Sequence, residues 1–166
     1  KLQDNRIWWT GPYAFSILES SVNAELLGLD VTQTIESVEP VAVQAVAEGS
    51  KVTLGSEGDD AGGVIIAAEV RAHESITVYG GDAGGLGFEL KATGAFETRT
   101  GDITFDLGAG GEIVGALRAL GDGAALNLSA DGLLQISGDL TADAAITLSG
   151  GADEAGDAVL FNPSGT

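Results

Sequence analysis

Gly115 to Ser129 reads GALRALGDGAALNLS, and Gly138 to Ser149 reads GDLTADAAITLS. Both stretches open on a glycine, place a lone apolar residue two positions on and an alanine two positions after that. Each then passes through a polar turn and closes on an apolar-polar-apolar triplet. A phrase restated after about two dozen residues is the mark of a stacked repeat, in which each unit buries its apolar side only against its neighbours.

Working outward from this pair, the same grammar divides residues 42–162 into five units, 42–67, 68–93, 94–114, 115–137 and 138–162, of 21 to 26 residues each. The opening segments carry Val43, Val70, Phe96, Leu117 or Leu140, with Ala45, Ala72, Thr98, Ala119 or Ala142 two places on. The triplets are bounded by Val52 and Leu54, Ile76 and Val78, Ile103 and Phe105, Leu126 and Leu128, and Ile146 and Leu148. After a turn rich in Gly and Asp, a third apolar stretch holds Val64 and Ile66, Phe88 and Leu90, Ile113, Leu134 and Ile136, or Val159 and Phe161. Alternation of period two puts these residues on one face of each strand.

The predicted fold is therefore all-β: a single-stranded, right-handed parallel β-helix of about five coils of 21–26 residues, with three strands per coil. Coils stacked about 4.8 Å apart would extend it by about 24 Å. The hand follows from the usual right-handed connection of parallel strands. The outward positions repeat too. Thr53, Thr77, Thr104, Asn127 and Thr147 form a polar file, while Gln44, Arg71, Glu97, Arg118 and Thr141 form another, in which Arg71, Glu97 and Arg118 alternate in charge. The alanines of Val41 to Gly49 would suit a helix, but the repeat register continues through them and predicts a strand.

Residues 1–40 form a separate region, an irregular N-terminal cap or extra coil; 41–166 are the solenoid repeats. Asn5 to Phe15 holds both tryptophans, and alternation resumes at Leu29, Val31 and Ile35. Trp8, Trp9 and Tyr13 suit a cap over the open end of a solenoid, a contact to a partner or a stacking platform for a glycan. The 166-residue chain opens on Lys1, contains no methionine and ends while the apolar pattern is still running, so it reads as a segment of a longer protein.

Seven Lys and Arg against 25 Asp and Glu give a formal charge of −18, which disfavours nucleic acid and anionic membrane surfaces as partners. The longest apolar run, Val64 to Ala68, is too short to span a bilayer. The absence of cysteine removes disulfides, thiol nucleophiles and thiolate metal sites. The 26 glycines lack the strict third-residue spacing of collagen and fit short strands joined by turns.

The run from Gly101 to Gly151, GDITFDLGAGGEIVGALRALGDGAALNLSADGLLQISGDLTADAAITLSGG, resembles the repeat region of filamentous-haemagglutinin-like adhesins and related giant bacterial surface proteins. The resemblance covers roughly residues 42–162. It implies export to the cell surface and a structural or adhesive role as a stalk, filament or matrix element. The partners it implies are neighbouring repeats, copies of the chain end to end, and a surface glycan or protein receptor.

No enzyme is expected. The only histidine, His73, has neither a serine nucleophile motif nor a second ligand beside it. The carboxylates Asp59, Asp60, Asp82, Asp102, Asp106, Asp122, Asp131, Asp139, Asp143, Asp153, Glu154 and Asp157 fall mostly at turns. A carbohydrate-active β-helix enzyme would need two of them at a defined separation in a groove. Gly108 to Ala116 lacks the Lys-Ser/Thr of a phosphate loop. No cofactor is called for; weak Ca²⁺ binding at the Asp-rich turns, as in GGDAGGLGFEL from Gly80 and GGADEAGDAVL from Gly150, defines the alternative of a calcium- or glycan-binding module. The more economical expectation is that the turn aspartates bond their own backbone.

Overall fold

The computed structural model describes residues 24–26, 33–35, 42–45, 48–49, 51–54, 64–67, 69–81, 87–151 and 159–161. Their alternating segments form strands of three to six residues, and all strand pairs are parallel. Short β-branched strands separated by glycine turns cannot bury their apolar faces alone, so each lies on the equivalent strand one unit away.

Three sheets result. The first stacks Ala42–Ala45, Glu69–Ala72, Ala95–Thr98, Ala116–Ala119 and Leu140–Ala142. The second stacks Ala24–Leu26, Lys51–Leu54, Ser75–Gly80, Ile103–Leu107, Leu126–Ala130 and Ile146–Ser149. The third stacks Gln33–Ile35, Val64–Ile66, Phe88–Leu90, Gly110–Ile113, Leu133–Ile136 and Val159–Phe161. Each of the five units gives one strand to every sheet. The architecture is an all-β parallel solenoid with three strands per coil, and from the first of these units to the fifth the chain winds through about four turns. The segment that could have been helical is a strand at Ala42–Ala45, paired with Glu69–Ala72.

The register follows the repeat residue for residue. Val43, Val70, Phe96, Leu117 and Leu140 form one file, and Ala45, Ala72, Thr98, Ala119 and Ala142 the next. The triplet file joins Val52, Ile76, Ile103, Leu126 and Ile146. Parallel pairing also reaches back before residue 42: Ala24–Leu26 lies on Val52–Leu54, and Gln33–Ile35 on Val64–Ile66. Leu29, Val31 and the aromatic stretch around Trp8, Trp9 and Tyr13 lie outside the described residues.

Inward residues close an apolar core. Phe88, Phe96 and Phe105 are fully buried, with ring centroids 6.1, 5.1 and 5.4 Å apart for the pairs 88/96, 88/105 and 96/105. The last two pairs are edge-to-face, the arrangement aromatic quadrupoles favour. Leu107 extends its strand by one inward position and stands in register between Gly80 and Ala130. Its methyl groups fill the space that a Cβ would take at Gly80 (3.0 Å) and at Gly111 (2.5 Å), so one large residue serves two positions without side chains. Thr98 is the one buried polar residue of this core among the described residues, and its hydroxyl donates to the Gly101 carbonyl.

The glycine that opens each phrase has a packing cause. Gly94, Gly115 and Gly138 stack at the corner between the third and first sheets. A Cβ on Gly115 would sit 2.2 Å from the Gly94 carbonyl oxygen, and one on Gly138 would sit 1.9 Å from that of Gly115. Coils one strand spacing apart leave no room for a side chain there.

Candidate functional site

Among the described residues the interior is filled by apolar side chains, which leaves polar groups on outward faces and at corners. On the first sheet, Arg71 faces Glu97 across the strands, with Arg71 Nε 3.8 Å from Glu97 Oε1. Arg71 also reaches along its own strand to Glu69, with Nη2 and Oε1 2.5 Å apart. Arg118 lies over Glu97 in register but makes no ion pair with it, so the alternating stack is realised at Arg71 and Glu97 and stops there. On the third sheet, Glu89 is in register with Glu112 and pairs with Lys91. The second sheet differs. Its central outward file from Thr53 through Thr77, Thr104 and Asn127 to Thr147 is uncharged, while Glu25 lies in register with Thr53 and Asp106 stands in the neighbouring outward file between Tyr79 and Ser129.

These side chains are half-buried at the surface and still reached by solvent, so each pair contributes only a few tenths of a kcal/mol. Glu97→Lys, which would set three cations in one file, is expected to destabilise by about 0.5–1 kcal/mol. Thermal unfolding in low salt measures this, and the loss should shrink at about 1 M salt, where screening extends only about 3 Å.

At the corners, side chains tie one coil to the next. Asp102 Oδ1 accepts from the Ala125 N–H and Asp143 Oδ2 from the Gly123 N–H, both at 2.8 Å. The expectation that turn aspartates serve their own backbone is corrected for these two: each satisfies a donor in the neighbouring coil. Stacking brings that N–H within bonding distance, and no sequence pattern shows it without the register. His73 works similarly. Its Nδ1 accepts from the Gly49 N–H at 3.2 Å. Its carbonyl accepts from the N–H of Thr100 at 3.0 Å and from the hydroxyl of Thr100 at 2.9 Å. Lys51 and Glu74 form an ion pair of 3.0 Å beside it. His73 thus links three successive corners.

Among the described residues, no group of three or more His, Asp or Glu is placed to hold a metal ion. Asp59, Asp60, Asp82, Asp153, Glu154 and Asp157 lie outside them, as do Trp8, Trp9 and Tyr13. No helix of the described residues is long and apolar enough to cross a membrane.

The last coil departs from the pattern. Its inward residues are in register with buried ones, Ile146 over Leu126 and Phe161 over Ile136. Yet Ile146 is 45% and Phe161 49% exposed, against 0% and 1% for those partners. The sequence places both residues in the core; the structure places them on an open rung. The described residues of this coil present strand edges and apolar side chains. Comparison of the chain with known protein families, curated proteins and solved structures finds no match in any of the three.

Proposed function

We propose that this chain is a rigid spacer within a large exported bacterial surface protein, carrying adhesive or matrix function by holding other parts at a distance. One observation supports this above the others: three sheets of parallel strands continue in register through every unit. In such a stack each coil touches only its neighbours, so length grows by a fixed step of about 4.8 Å per unit and stiffness comes from the shared ladders. The repeat phrases of Gly101 to Gly151, similar to those of filamentous-haemagglutinin-like adhesins, point the same way. The charge of −18 suits a long array that must stay soluble.

An antibody raised against the chain is expected to label intact cells that produce it, and removal of units 94–137 is expected to preserve display while lowering attachment of those cells to a surface. Labelling that requires permeabilised cells, or attachment unaffected by the deletion, would contradict the spacer role.

A further inference from the structure

We propose that His73 is an acid-released clasp between neighbouring coils: its neutral imidazole holds the corner at Gly49, and a proton taken up in mild acid frees that corner while the joint to the following coil stays closed. The inference uses the corner geometry alone and stands whether or not the chain serves as a spacer.

The clasp occurs at two equivalent places, with two different acceptors. Gly49 and Gly123 each lie four residues after the alanine that ends their unit's first strand, Ala45 and Ala119, and both take the left-handed conformation, with φ of +77° and +76°. Each gives its N–H to the residue that follows the corresponding alanine one unit on. Gly49 donates to Nδ1 of His73, next to Ala72, at 3.2 Å, and Gly123 donates to Oδ2 of Asp143, next to Ala142, at 2.8 Å. The left-handed turn presents a donor and the next coil supplies the acceptor, a carboxylate in one case and an imidazole in the other.

These acceptors respond differently to acid. A carboxyl group keeps an accepting oxygen whether or not it carries a proton. A neutral imidazole has one bare nitrogen, and an imidazolium has none. With Nδ1 accepting, the neutral ring of His73 carries its hydrogen on Nε2. A proton from solvent on Nδ1 then sets two N–H groups face to face, so the Gly49 bond is lost as pH falls and restored as it rises. Histidine is the side chain that changes charge between about pH 5 and about pH 8.

The other side of His73 holds by backbone. Its carbonyl accepts from the N–H groups of Arg99 and Thr100 at 3.3 and 3.0 Å and from the Thr100 hydroxyl at 2.9 Å, and a peptide carbonyl does not titrate. One residue therefore makes a titrating joint to the coil before it and a fixed joint to the coil after it.

Charged groups surround the clasp on all three corners. Glu74 follows His73 and pairs with Lys51 at 3.0 Å, and Glu48 precedes Gly49. Arg99 and Asp102 belong to the next corner, where Asp102 accepts from Ala125, and Arg71, two residues before His73, is engaged by Glu69 and Glu97. Glu74 Oε2 lies 3.9 Å from where a Cβ on Gly49 would stand, so a carboxylate is at hand for the imidazolium that leaves Gly49. The proton exchanges one partner for another, and the opening stays local to this corner.

Amide hydrogen exchange of the full 166-residue chain, followed by NMR and corrected for the inherent pH dependence of exchange, reads the clasp directly. Protection of the Gly49 N–H is expected to be about tenfold lower at about pH 5 than at about pH 8, while that of Thr100 and Gly123 changes by less than about twofold. His73→Asp copies the second clasp and is expected to keep Gly49 protected throughout. Asp143→His is expected to confer the pH-dependent loss on Gly123. Constant protection of Gly49 in the native chain, equal losses at Gly49 and Thr100, or an undiminished loss in His73→Asp would overturn the proposal. Should His73→Asp not fold, Asp143→His decides in its place, and a Gly123 that stays insensitive to pH would overturn it.

Discussion

Phe105→Ala is expected to destabilise the protein by about 3–5 kcal/mol, read from denaturant unfolding followed by circular dichroism. Phe105 lies edge-on to both Phe88 and Phe96, and all three rings are fully buried. Its removal empties a space bounded by two other rigid rings and by Ile103 and Leu107 on its own strand, none of which can collapse into it while held in register. Phe105→Leu retains most of the volume and is expected to cost less than the alanine variant, about 1.5 kcal/mol. Equal losses for the two would show that the ring cluster contributes no more than area. Since each coil touches only its neighbours, the lesion should also divide unfolding into two phases, one on each side of residues 94–114.

Gly115→Val is expected to cost about 3 kcal/mol, the upper end of what overpacking does. A Cβ there would meet the Gly94 and Lys91 carbonyl oxygens at 2.2 and 2.7 Å and the Leu90 side chain at 2.8 Å. Backbone cannot move aside as a flexible side chain can, and here it is held: the Ala116 N–H bonds the Gly94 carbonyl and the Gly115 N–H bonds that of Leu90. The informative comparison is Gly123→Ala. Gly123 has φ +76°, but a Cβ added to it would meet nothing within 4 Å, so only conformational strain of about 1–2 kcal/mol applies. Melting curves of the two variants separate crowding from strain. A Gly115 variant no worse than the Gly123 variant would mean that the corner opens freely.

The files of the core were legible in the sequence because burial of one strand face demands alternation, and stacking demands that the alternation recur. Every inward residue from Val70 to Ile136 that the repeat singles out is buried, from Phe96 beneath Leu117 to Ile113 beneath Ile136. Leu107 was not legible. It lies beyond its triplet, and its place in the core depends on the missing side chains of Gly80 and Gly111, one a coil away and the other on a different sheet. The corner bonds of Asp102 and Asp143 escaped for the same reason, since their partners lie 23 and 20 residues distant. Arg118 shows the opposite failure: register brings it over Glu97, but long flexible side chains choose partners by local geometry, and Glu97 approaches Arg71 instead. For the outer surface, then, the repeat determined which residues are neighbours and left open which of them bond. The exposure of Ile146 and Phe161 depends on what lies above a coil, which repeat grammar does not encode.

Leu107 also constrains how such a gene could lengthen. Copying residues 94–114 alone in tandem would set one Leu107 directly upon another, where Gly80 now leaves the room its methyl groups need. Copying 68–114 together would restore the order of glycine, leucine, glycine, leucine along the axis. Duplication of the pair would keep this spacing, whereas duplication of the single unit would require Leu107 to repack against its own copy.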